Sequence, residues 1–198
     1  MITIGFVGNC QLLSLCFYTQ FLLKDNPEYT VRYVCYDNSF HEHLDRWSDK
    51  CHSKILDYSE GIEYLMKCDY IVYNKIKDRT SVFFNADALQ SYAKPSCVLV
   101  SITSIFIELD KYQTGISELL YRDIIQGNII KVSTLIYEYM KQDGKKLDDL
   151  LITKNHPTTY LFMIIMDKLC NIMGLPQYGK EVFNTLVQNR NLMELPLC

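Results

Sequence analysis

The sequence is missing several things, and each absence removes a class of protein. No apolar run reaches the ~18 residues that cross a bilayer, so no membrane span is expected. There is no basic excess: 20 Lys and Arg stand against 23 Asp and Glu, a formal net charge of −3. General nucleic-acid binders neutralise phosphates with surplus positive charge, so that class is set aside, and only a small local phosphate site stays compatible. Neither a Walker A loop nor a G-x-G-x-x-G follows any strand-like run, so the phosphate signatures of the common nucleotide-binding folds are missing. The eight cysteines, at positions 10, 16, 35, 51, 68, 97, 170 and 198, include no C-x-x-C pair. That argues against a zinc site or a secreted disulfide framework and for buried, reduced thiols. The start, Met1-Ile2-Thr3-Ile4-Gly5-Phe6-Val7-Gly8, has neither the basic residues nor the long apolar stretch of a secretory signal, so a cytoplasmic protein is expected.

What is there is a folded composition. The 198 residues are 48% hydrophobic and 22% charged, enough for one full core over 1–198, and compatible with a further domain in a longer polypeptide. The oligomeric state is left open. Ile2–Val7 is a β-branched run ending at Gly8, and it predicts a buried first strand. The apolar residues from Leu12 to Leu23 predict a helix that Asp25-Asn26-Pro27 ends. Further strands are expected at 30–36, 70–73 and 97–102. Between them come helices at 59–67, with Ser59 as N-cap, and at 86–93. From Ile116 onward the chain reads as helical, at roughly 116–126, 130–142, 158–173 and 178–188. The breaks fall at Gly127, Gly144 and Gly174-Leu175-Pro176. Short strands, apolar on both faces and alternating with helices, predict an α/β protein: three layers around a short parallel sheet, with a helical C-terminal part.

In such sheets ligands bind at the carboxyl ends of the strands, so the residues just after each strand matter most. Gly8-Asn9-Cys10-Gln11 follows the first strand and opens the first helix. Gly8 permits a tight turn or close backbone approach, and the next residues meet the positive end of the helix dipole. A cysteine there gains thiolate character, which gives two readings of Cys10: a nucleophile or acyl-site residue, or a buried cysteine at a helix start. Asn74, after the third strand, either donates to an oxyanion or closes a turn. Lys75, Lys77 and Arg79 beside it either meet phosphates or form a solvated loop. His156, in Asn155-His156-Pro157-Thr158, sits at the mouth of a helix with Pro157 in its first turn. It is either a general base or a surface histidine. The position three residues before it, where an orienting Asp is often found, holds Thr153. His41, His43 and His52 with Asp37, Asp45 and Asp49 form only a weak metal pattern, and no metal is expected.

The run Ile4-Gly5-Phe6-Val7-Gly8-Asn9-Cys10-Gln11 resembles the opening of the WcbI-type polysaccharide biosynthesis proteins, whose first strand is followed by a G-N-C-Q turn. His156-Pro157 ahead of a helix and Asp69-Tyr70-Ile71-Val72-Tyr73-Asn74 also fit that pattern. The family binds coenzyme A, is taken to comprise acetyltransferases, and is similar in fold to the SGNH hydrolases, which implies a flavodoxin-like parallel sheet. The resemblance implies a nucleophile-turn position for Cys10, an oxyanion position for Asn74 and the base position for His156. It also implies that Gly8, Asn9, Cys10, Gln11, Lys75 and Lys154 hold the coenzyme. The expected reaction moves an acetyl group from acetyl-CoA, a co-substrate, to an amine or hydroxyl of a sugar or nucleotide sugar. Direct transfer is favoured over an acetyl-Cys10 intermediate, because thioester-to-thioester exchange gains no activation. The alternatives are an esterase on acylated glycans and a non-catalytic nucleotide- or sugar-binding module. Two departures weaken the hydrolase version: no Ser occupies the turn, and Thr153 replaces the Asp.

Overall fold

The computed structural model describes residues 1–34, 55–56, 58–74, 86–105, 112–153, 156–177, 179, 181 and 184. The chain forms two compact units, residues 1–101 and 102–198. In the first, β1 (Ile2–Val7), α1 (Cys10–Leu23), β2 (Tyr29–Val34), β3 (Ile55–Leu56), α2 (Tyr58–Leu65), β4 (Tyr70–Asn74), α3 (Ala86–Tyr92) and β5 (Val98–Ile102) alternate as expected. The strands form one five-stranded parallel sheet in the order β3-β2-β1-β4-β5, flanked by helices. β1 is central, in register with β2 from Ile2↔Tyr29 to Val7↔Val34 and with β4 from Ile4↔Tyr70 to Val7↔Tyr73. Its last four residues are buried, as the two-sided apolar run requires.

α1 is buried around much of its circumference, so its polar residues bond back to its own carbonyls. Thr19 Oγ1 donates to the Leu15 carbonyl (2.8 Å) and Ser14 Oγ to that of Cys10 (3.1 Å). α2 lies directly on the sheet: a Cβ on Gly5 would come within 2.7 Å of Leu65 Cδ2, and one on Gly61 within 2.3 Å of Val34 Cγ1. Two features differ from the sequence expectation. Ser59 lies inside α2, which begins at Tyr58 and so has no serine cap, and the two-residue β3 went unforeseen because it is too short for any periodicity.

Asp69 ties the amino ends of three strands together. Its carboxylate accepts the Thr3 N–H (2.8 Å) and Lys94 Nζ (2.5 Å), while its backbone bonds Thr3 O and the Val98 N–H. Partial burial pushes the Asp69 carboxyl up, but the Lys94 and Thr3 hydrogen bonds and the Lys94 charge outweigh it, so the net shift is downward. The hydrogen bond to Asp69 raises Lys94 in turn. A carboxylate lowered on folding stabilises above its unfolded value of about 3.9, and that contribution disappears as the pH falls through the lower folded value. The lysine's share is present below its unfolded value of about 10.4 and is lost as pH rises beyond it. Asp69→Asn should therefore flatten the acid limb of stability in urea melts between about pH 2 and pH 6. Both side chains are about one-third exposed (33% and 34%), so high salt should shrink the difference.

The second unit holds α4 (Tyr112–Gln126), α5 (Val132–Met140), a 3₁₀ turn (Leu147–Asp149), β6 (Leu151–Thr153), β7 (His156–Pro157) and α6 (Thr159–Met173). α6 ends where expected, at Gly174, whose left-handed backbone (φ 62°) lets its N–H return to the Cys170 carbonyl. The antiparallel β6–β7 pair was not foreseen. Pro157 lies in it rather than in the first helical turn, and Thr158 is the N-cap of α6, accepting the Leu161 N–H. The helix expected at 178–188 falls mostly outside the described residues.

Candidate functional site

At the carboxyl end of β1 the chain turns through Gly8 and Asn9 into α1. Asn9 is the N-cap: its Oδ1 accepts the Gln11 N–H (3.1 Å) and its carbonyl accepts those of Leu12 and Leu13. Its own N–H donates to Asn74 Oδ1 (3.3 Å), and Tyr33 Oη donates to the Gly8 carbonyl. Asn74 is the last residue of β4 and is fully buried. A Cβ at position 8 would sit 2.7 Å from Asn74 Oδ1 and 3.0 Å from Leu12 Cγ, so this turn closes only around glycine. Cys10 is half-buried, and Gln11 is buried.

Five of the expected residues, Gly8, Asn9, Cys10, Gln11 and Asn74, are thus brought together on one unit at a helix N-terminus. Two details differ from the expectation. Asn74 meets the turn through its oxygen, as an acceptor, and the backbone N–H groups of Asn9 and Gln11 are both held by side-chain oxygens. Tyr33 was missed. A fully buried tyrosine must bring its hydroxyl to a partner, and that is the one signal its apolar strand offered.

His156 belongs to the second unit. It is half-buried in β7, and its antiparallel partner in β6 is Thr153. The threonine at the expected Asp position is therefore a neighbour across the hairpin. Asp149 accepts the Lys146 N–H (2.8 Å) and Tyr139 Oη (3.1 Å). Burial and the bond to Asp149 push the Tyr139 hydroxyl up to about 12. Thr158 Oγ1 donates to the Asp149 carbonyl (2.9 Å) and its N–H to that of Leu150 (2.8 Å), which fastens the hairpin to the start of α6.

Lys75, Lys77, Arg79, Lys154, His41, His43, His52, Asp37, Asp45 and Asp49 lie outside the described residues. Among the described residues there is no group of three or more His, Cys, Asp or Glu placed to hold a metal, and no helix long and apolar enough to cross a membrane. Cys16, Cys68 and Cys170 are buried thiols. Burial pushes the Cys170 and Cys97 thiols up to about 11 and Cys68 further still, so these three are poor nucleophiles.

No protein-family model matches the sequence, and no curated protein matches it. The fold does have a solved counterpart. The structure is similar to that of WcbI, a polysaccharide biosynthesis enzyme, over 92% of this chain and 71% of that one, with a TM-score of 0.60 and 15% identity. That structure is of the native protein without a disulfide bond between CoA and one of its cysteines. At this identity the likeness establishes the shared α/β fold.

Proposed function

We propose that this protein binds coenzyme A at the Gly8–Gln11 turn and transfers the acetyl group of acetyl-CoA to an amine or hydroxyl of a sugar in glycan biosynthesis. The observation that carries the reading is the turn itself: a cysteine-bearing, asparagine-capped helix N-terminus at the carboxyl end of a central parallel strand. Its setting is a fold shared with WcbI, a polysaccharide biosynthesis enzyme whose solved structure is of the native protein without a disulfide bond between CoA and a cysteine. Helix N-termini favour negative charge, which suits both the coenzyme's phosphates and a developing oxyanion.

His156 takes the proton of the acceptor as its nitrogen or oxygen attacks the thioester carbonyl. The new C–N or C–O bond forms, the C–S bond breaks, and the proton passes on to the departing thiolate. Asn74 donates a side-chain N–H to the oxyanion once substrate is bound. Cys10 borders the bound coenzyme and takes no acetyl group. Lys75 and Lys154 supply positive charge to phosphates.

Thermal-shift titration tests the coenzyme assignment, with CoA and acetyl-CoA against ATP as a phosphate control. A ligand at ~100 times its Kd adds about 2.7 kcal/mol of apparent stability. A rise specific to the two coenzymes is expected. No rise, or an equal one with ATP, would remove the assignment.

A further inference from the structure

We infer that Tyr33 and Asn74 work as a clamp on a single peptide unit, and that Tyr33 is thereby a positioning residue for the Cys10 turn. The inference rests on the coenzyme reading above for what the turn is positioned to do. The peptide between Gly8 and Asn9 carries one carbonyl and one N–H, which point in opposite directions because the bond is trans. The carbonyl accepts from Tyr33 Oη, and the N–H donates to Asn74 Oδ1. The two side chains come from β2 and β4, the strands on either side of β1. Both are fully buried.

The register explains why side chains take over. Val7 is the last residue of β1 to pair with both neighbours, opposite Val34 and Tyr73. Beyond it the chain must leave the sheet to start α1, so the next peptide has no ladder to join. Tyr33 is paired with Phe6, and Asn74 follows Tyr73, so each side chain reaches past the end of its own pairing to continue the ladder by one peptide. Gly8 makes this possible, since any Cβ there would occupy the place of Asn74 Oδ1. The rotation of this peptide sets the direction in which the following residues, Asn9 and Cys10, enter the helix. A rigid turn presents its groups to a ligand at little ordering cost, and a loose one must be ordered on binding.

The test combines amide hydrogen exchange, resolved at Asn9 by NMR, with titration by coenzyme A. Tyr33→Phe removes only the hydroxyl. Asn74→Asp keeps an acceptor oxygen beside a helix N-terminus, which favours its charge, but loses the amide donor. Loss of one buried hydrogen bond in Tyr33→Phe should speed Asn9 exchange about tenfold while Ile4 and Phe6 in β1 stay as in the wild type. CoA affinity should weaken about five- to tenfold in the same variant. Asn74→Asp should keep wild-type Asn9 exchange within about twofold yet lose turnover, which separates the acceptor role from the donor role. Asn9 exchange unchanged in Tyr33→Phe, or rising only in step with Ile4 and Phe6, overturns the clamp. A wild-type protein that ignores CoA would overturn the coenzyme reading instead, and the exchange rates would still decide the clamp.

Discussion

Replacing His156 by Gln is expected to cut acetyl transfer about 10²–10⁴-fold while the protein stays folded and CoA affinity stays within about twofold. The fold should tolerate the change because bonds made by the neighbouring residues hold the segment and Gln keeps a polar side chain at the position. The Thr158 hydroxyl and N–H bond the carbonyls of Asp149 and Leu150, and Pro157 is buried. A base acts on the acceptor's proton in the transition state, so its loss belongs in kcat and not in coenzyme binding. Thiol release with an amino sugar as acceptor reads kcat, and isothermal titration reads the CoA affinity. Unchanged kcat would strip His156 of the role. A parallel loss of CoA affinity would mean that the residue binds the coenzyme. Hydrolysis of a p-nitrophenyl ester without CoA would instead favour the esterase alternative.

The parts of this fold that were legible in the sequence are those where one residue pattern meets one structural demand. β1, β2, β4 and β5 are apolar runs bounded by turn residues, and a strand buried on both faces needs nothing else. The Gly8–Gln11 turn was legible because glycine, a capping asparagine and a helix start each have a local signature. What stayed hidden depends on partners far along the chain. Tyr33 reads as one more strand residue until its hydroxyl is found on a carbonyl 25 positions earlier. The β6–β7 pair covers five residues and has no period of its own, so Pro157 looked like the first turn of a helix. α4 shows a face that the apolar pattern does not reveal. Its apolar residues Leu120, Tyr121, Ile124 and Ile125 are exposed, while Leu119 and Asp123, one turn apart, are buried. Hydrophobic periodicity alone therefore points to the wrong face of that helix.

That buried aspartate carries the second large effect. Asp123 is 1% exposed, and among the described residues four donors satisfy it. They are the Ser133 N–H (3.0 Å), the hydroxyls of Ser133 and Thr103, and Asn128 Nδ2 (3.3 Å). Ser133 lies in the first turn of α5, whose N-cap, Lys131, makes no side-chain cap bond. A carboxylate from the preceding helix thus does the capping that the local sequence does not, at the end of the helix where negative charge is favoured. Thr103 is drawn into the same knot, since its Oγ1 also accepts the Val132 N–H (3.2 Å). Although it follows directly after β5, it is held by these structural bonds and is a poor candidate for contacting substrate. Asp123→Ala strands these donors without water, and bonds to a charged group are worth about 1.5–3 kcal/mol each, so a loss of about 3–4 kcal/mol is expected. Against a typical total of about 5–15 kcal/mol, that is enough to partly unfold the chain on warming. Ser133→Ala should cost about 1 kcal/mol, and the double variant less than the sum, because both substitutions remove the bond from the Ser133 hydroxyl to Asp123. Urea unfolding followed by circular dichroism measures all three. A loss below about 1 kcal/mol for Asp123→Ala would show that the knot is not what holds α4 to α5.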